Sequence, residues 1–154
     1  MAGRRTSWAI KVYGAPAPKG SMKCVGGRGR HQLVNTNPAT TPWQDSLAAA
    51  VVKLGIAEPI DAPVGVQVTF TVDRPRSVSV KSRPWPSKTA RTSDGGGGDV
   101  DKLARCVLDG LEQGGVIRND AQVVQLSAVK AFPDSPGAVD VLDRSGVFIR
   151  IFLI

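Results

Sequence analysis

Asp99 and Asp101 stand two residues apart, directly after a glycine run from Gly95 to Gly98, and a further carboxylate follows at Asp120. Carboxylates repel one another, so a basic chain that gathers them has a use for the negative charge. One use is a bound cation. Oxygen donors of this kind suit Mg²⁺, or Mn²⁺ as a substitute, because both ions take carboxylates and water. Two acids at one helix start can point into a shared space. A third from the next loop can complete an oxygen-rich pocket. An ion held there can activate water and stabilise a departing oxygen in phosphodiester hydrolysis. Zinc fits poorly, since His31 is the only histidine and Cys24 and Cys106 are far apart. Arg105, one turn beyond Asp101, has the charge to clamp a phosphate or to make an ordinary (i, i+4) ion pair. The glycines permit close approach of an anion, but no Lys-Ser/Thr follows them, so they form no nucleotide-binding fingerprint.

The same acids have plain structural readings. Asp99 can be a helix N-cap contributing about 1 kcal/mol. Asp101 can be a first-turn acid that complements the helix dipole. Asp120 can be a turn residue after Asn119. Spacing alone leaves both sets of readings open.

The elements that must position these residues follow from periodicity. Residues 8–13 read as a strand ended by Gly14 and the prolines at 16 and 18. Residues 14–40 read as a long basic loop. Thr41 as N-cap and Pro42 at the first helical position predict a helix through Trp43, Leu47, Ala50, Val51 and Leu54, stopped by Gly55. Val64 to Val72 alternates as a half-buried strand. Residues 74–98, with many prolines, glycines and charges, read as an exposed connection. Asp99 opens a helix over 99–113 whose buried stripe is Leu103, Val107, Leu108 and Leu111. Asp109 reads as structural, roughly 12 Å along that helix from Asp101. Strands over 123–129 and 146–154 complete the chain. The order β-α-β-α-β-β predicts an α+β fold: a single domain over 1–154, with a small mixed sheet and two main helices.

Charge points to the partner. The chain has 154 residues and a formal net charge of +7. Residues 1–31 carry Arg4, Arg5, Lys11, Lys19, Lys23, Arg28 and Arg30 with no acid. Residues 74–98 carry Arg74, Arg76, Lys81, Arg83, Lys88 and Arg91 against Asp94 alone. Two unbalanced basic stretches fit a polyanion, and nucleic acid first. The two isolated cysteines, and the lack of a signal-peptide core or a membrane-length apolar run, predict a cytoplasmic protein without membrane contact.

The chain resembles the RusA family of Holliday junction resolvases, found in bacteria and their phages. The resemblance is carried by Asp99-Val100-Asp101-Lys102-Leu103-Ala104-Arg105, by Val107-Leu108-Asp109-Gly110-Leu111, and by Asn119-Asp120-Ala121-Gln122-Val123-Val124. Lys130 also fits the pattern, as does the Arg74-Pro75 that ends the strand near 64–73. The resemblance implies a RusA-like fold and a Mg²⁺-dependent endonuclease that resolves four-way junctions and other branched DNA in recombination and repair. It implies a homodimer, acting in a bacterial host cytoplasm if phage encoded. It gives Asp99, Asp101 and Asp120 the catalytic, metal-binding roles and puts Arg105 in place of a catalytic lysine. Lys19, Lys23, Arg28, Arg30, Arg74, Arg76, Lys81, Arg83, Lys88, Arg91, Lys102 and Lys130 become candidate DNA contacts. Three residues differ from the family pattern. Lys102 replaces an asparagine, Arg105 replaces a lysine, and Asn119 replaces the first acid of an Asp-Asp pair, although its carbonyl oxygen can still serve a metal. Two alternatives stay open: a non-catalytic DNA-binding module derived from a nuclease, and a basic interaction protein whose acids are only helix caps.

Overall fold

The computed structural model describes residues 6–20, 22–87 and 97–154. Its elements are β1 (Ser7–Tyr13), β2 (Met22–Val25), β3 (Gln32–Asn35), α1 (Thr40–Val52), β4 (Val64–Thr71), α2 (Val100–Gln113), β5 (Val123–Ala131) and β6 (Gly146–Leu153), with a 3-10 turn at Asp120–Gln122 before β5. The four long strands form one sheet in the order β1-β6-β4-β5. Only the β4–β5 pair is parallel; β6 runs antiparallel to both β1 and β4. The sheet is therefore mixed, and the expected α+β order stands. Among the described residues no helix is long and apolar enough to cross a membrane.

The core explains the arrangement. Val64, Val66, Val68 and Phe70 of β4 meet Leu103, Cys106, Val107 and Leu111 of α2, and Trp43, Leu47 and Val51 of α1. α1 lies against β1 and α2 against β5, with the two helices packed on each other. Gly110 and Gly114 set how closely they approach. A Cβ on Gly110 would meet the Leu47 side chain at 2.8 Å, and one on Gly114 would meet Val51 at 2.6 Å. Glycine inside a helix costs on the order of 1 kcal/mol, and here it is offset by helix contact. Cys106 lies in the same core, and burial pushes its thiol up to about 12.

Three expectations are corrected. β4 is covered on both faces rather than half-buried, with Gln67 alone exposed. Its second face lies opposite Phe152 at Gly65 and Phe148 at Thr69, and Thr71 Oγ1 accepts from the Leu142 amide at 2.9 Å. α1 starts at Thr40, not after a Thr41 cap. Ala39 is the N-cap residue and makes no side-chain cap bond. The Thr40 hydroxyl donates to the Pro18 carbonyl at 2.8 Å instead. Finally, the long loop 14–40 contains the β2–β3 hairpin, which pairs Lys23 with Val34 and Val25 with Gln32. Every residue from Lys23 to Val34 is exposed.

Because Gly110 sits under Leu47, Gly110→Val is expected to push the helices apart and destabilise the fold by about 1–3 kcal/mol. Urea denaturation measures this, and an unchanged midpoint would show that the helices do not need the close approach.

Candidate nucleic-acid cleavage site

The start of α2 is held from three sides. The Gly97 amide donates to the Pro16 carbonyl at 3.3 Å, and the Lys19 amide to the Lys102 carbonyl at 3.1 Å. Lys130 Nζ, from the end of β5, donates to the Gly98 carbonyl at 2.8 Å. Gly98 has φ +125°, and a Cβ there would meet Pro18 at 2.7 Å. This glycine is thus required by backbone and packing, not merely by flexibility. Gly95 and Gly96 lie outside the described residues.

Asp99 occupies the N-cap position of α2 with extended backbone, yet its side chain makes no cap hydrogen bond. The plain cap reading fails for this carboxylate. It faces Lys102 instead, with Nζ at 3.2 Å, both side chains about half exposed (48% and 54%). Asp101 is exposed in the first helical turn. No described residue forms an ion pair with Arg105, so of its two readings the (i, i+4) pair with Asp101 is not made among the described residues. Asp99, Asp101 and Arg105 therefore share the solvent-facing first turns of α2, Asp99 in a weak exposed pair with Lys102 and Asp101 and Arg105 exposed. Asp109 is structural: it pairs with Lys19, both partly buried.

Asp120 lies elsewhere. It opens the 3-10 turn after α2, next to residues that pack on the start of β4. Ile60 bridges to Ile117, and Gln122 Nε2 donates to the carbonyls of Ile60 at 2.7 Å and Ala62 at 3.3 Å. Asn119 caps this turn: its side-chain oxygen accepts from the Ala121 amide at 2.8 Å. Gln122 answers by accepting from the Arg118 amide at 2.7 Å and the Asn119 amide at 3.3 Å. The carbonyl oxygen that Asn119 could have offered a metal is already engaged. Gln122 is a positioning residue that sequence reasoning missed, although Asn-x-x-Gln is the spacing of a capping box.

The structure does not close the three carboxylates into one pocket. Among the described residues no group of three or more His, Cys, Asp or Glu side chains is placed to hold a metal ion. Asp99 and Asp101 alone do fit a hard ion by donor type. Both are exposed oxygen ligands, and Mg²⁺ is commonly held by one or two carboxylates with water and substrate phosphate.

The candidate DNA contacts divide in two. Lys23, Arg28 and Arg30 project from the exposed hairpin, and Arg76 and Lys81 are exposed in the stretch after β4. Arg83 is half-buried there, and Lys88 and Arg91 lie outside the described residues. Arg74 is a correction. Its guanidinium donates to Asp134 at 2.8 and 2.9 Å and to the carbonyls of Ser79 at 3.3 Å and of Arg83. It also stacks on Phe132 at 4.1 Å. Its hydrogen bonds hold the exposed Asp134 carboxyl below the usual carboxylate range. Arg74 fastens the segment 74–84 to the turn after β5, so its charge is spent inside the fold. Lys19 on Asp109 and Lys130 on Gly98 are likewise engaged in positioning α2.

No curated protein matches the chain. A family model described as Endodeoxyribonuclease RusA matches residues 14–141, from the end of β1 through the hairpin, both helices, β4 and β5. That range holds every acid of the candidate site and covers most of the sequence, so the chain belongs to the RusA endodeoxyribonuclease family and is a nuclease by descent.

Proposed function

We propose that the protein is a Mg²⁺-dependent endonuclease that resolves four-way DNA junctions by paired phosphodiester hydrolysis, as a homodimer in the bacterial cytoplasm. The observation that carries this is Asp99: it stands in a capping position without capping, beside Asp101 and Arg105 on one exposed helix end. A divalent ion held by Asp99 and Asp101 would supply positive charge for the departing oxygen and acidify water, and Mn²⁺ could substitute. The chain's own residues do the rest. Arg105 offers a planar guanidinium for the scissile phosphate. Lys102 neutralises Asp99 until a cation takes its place. The hairpin cations Lys23, Arg28 and Arg30 meet backbone phosphates, which position the duplex without reading its sequence. Two sites related by a two-fold axis suit a junction that presents equivalent strands.

A second reading has its own support. The Lys102 ammonium on Asp99, and the separation of Asp120 from Asp99, favour a module that binds branched DNA without cutting it. A labelled synthetic four-way junction decides between the two. With Mg²⁺ the protein is expected to make paired nicks, none with EDTA, and none with Asp101→Asn. Binding without metal-dependent nicks would establish the non-catalytic module, and equal cutting by Asp101→Asn would remove the carboxylate assignment.

Lys102→Asn removes the ammonium from Asp99. Exposed pairs are worth up to about 1 kcal/mol, so Mn²⁺ binding followed by calorimetry is expected to tighten by about 2–5-fold. An unchanged titration would show that Asp99 is not a ligand.

Each phosphate contact contributes about −0.9 to the slope of log K against log salt. Arg28→Ala with Arg30→Ala is therefore expected to make that slope shallower by about 2 in junction binding, with the unfolding midpoint unchanged. An identical slope would take the hairpin off the DNA.

A further inference from the structure

Trp85 is 36% exposed, whereas Trp43 is 5% exposed and Trp8 packs against the core. A single exposed apolar side chain is ordinary on a protein surface. The mounting of this one is not. Pro84 and Pro86 flank it, each with its own backbone angle fixed by the ring. The Arg83 carbonyl accepts from Arg74, and the Pro84 carbonyl accepts from the Ser135 hydroxyl at 2.7 Å. Ser135 Oγ in turn accepts from the Phe132 amide at 2.9 Å. The Trp85 carbonyl accepts from the Ser87 amide at 2.8 Å, and Pro86 is buried. The backbone is thus held on both sides of an exposed indole.

Topology sets this indole near the acids of α2. β4 and β5 run parallel and finish together, with Thr71 paired to Ala131. Residues 74–84 leave β4 at that end, where Arg74 and Pro84 fasten them to the turn after β5. At the same end Lys130 holds the Gly98 carbonyl, next to Asp99. Charge indicates what covers the ring. Residues 74–87 hold Arg74, Arg76, Lys81 and Arg83 and no acid, and Arg76 and Lys81 are exposed. An aromatic face among cations suits nucleic acid, with phosphates on the cations and a base stacked on the ring. Bases inside a duplex are stacked on one another, whereas an unpaired base offers its face at lower cost.

We propose that Trp85 is the stacking platform for an unstacked base at the branch point of the DNA, and that it makes the protein favour branched over linear DNA. This rests on the branched-DNA reading above. Arg76 and Lys81 meet neighbouring phosphates and add affinity for any DNA. The indole adds affinity only where a base face is free. Its backbone is in place before DNA arrives, so little conformational freedom is lost on binding.

Binding in EDTA tests this without any need for cutting, with a labelled four-way junction and a linear duplex as the two probes. Trp85→Ala is expected to weaken junction binding by about 10-fold and to leave duplex binding unchanged. The slope of log K against log salt should stay the same, because no phosphate contact is lost. Trp85→Phe keeps an aromatic face and should retain most of the junction affinity. Junction binding should also quench the tryptophan emission of the wild type, and that quench should be lost in Trp85→Phe. Equal junction binding by wild type and Trp85→Ala overturns the proposal, and so does an equal loss on junction and duplex. If Trp85→Ala lowers the unfolding midpoint, the emission of wild type and Trp85→Phe decides, and an identical quench in the two overturns the proposal. Wild-type protein that binds the junction no better than Trp85→Ala removes only the platform. Wild-type protein that binds no junction removes the branched-DNA reading as well.

Discussion

The direction of α2 is the constraint on which the rest of the molecule depends. β4 and β5 are adjacent and parallel, so the chain must return from the end of one to the start of the other. α2 makes that return, packed on β5 and on α1. A helix of 14 residues rises about 21 Å at 1.5 Å per residue, close to the length of the strands that it accompanies. Whatever the chain places before α2 is therefore carried to one end of the sheet, and whatever follows α2 to the other. Asp99 and Asp101 fall on one side of this division and Asp120 on the other. The helix that presents the first two acids is also what removes the third from them.

A helix end that carries charge into solvent has to be held by something other than its own cap. Here the holding groups come from three parts of the chain. The 16–19 segment lies along α2 through backbone bonds to Gly97 and Lys102 and through the Lys19–Asp109 pair. β5 reaches across with Lys130. α1 is drawn in at Gly110 and Gly114, where absent side chains let Leu47 and Val51 approach. These contacts are distributed, so the acids at the tip need not spend themselves on stability. That division of labour explains why Asp99 can sit in a capping position and yet accept no cap hydrogen bond.

Much of this was legible in the sequence, and the residues that were not share a cause. α2 was readable because its stripe from Leu103 to Leu111 repeats at helical spacing, and local periodicity is a local signal. β4 was placed correctly, but its second face was misread. Gly65, Thr69 and Thr71 look polar or small, and only β6 and the residue 142 loop, far along the chain, cover them. Arg74 looked like one more cation of a basic loop. Its real partners, Asp134 and Phe132, are about sixty residues away. The β2–β3 hairpin gave little alternation, because with both faces exposed no burial pattern is imposed on it. The acids themselves were found from type and spacing. Their grouping is not legible there, because a parallel strand pair separates in space residues that lie close along the chain.

The charge balance of the site follows from the same geometry. A carboxylate on the exposed tip of α2 that gains nothing from capping would repel both Asp101 and an approaching phosphate. Lys102, one turn along, supplies a local countercharge at 3.2 Å. With both groups about half exposed, water screens the pair and makes it weak. Weakness is what a replaceable countercharge requires: a buried pair would cost several kcal/mol to separate, whereas this one yields to a cation at little cost. The hairpin from Lys23 to Val34 carries no acid, so its cations have no carboxylate within their own segment to pair with. A chain with net charge +7 thus sets a weak, exposed countercharge, not a buried one, beside Asp99.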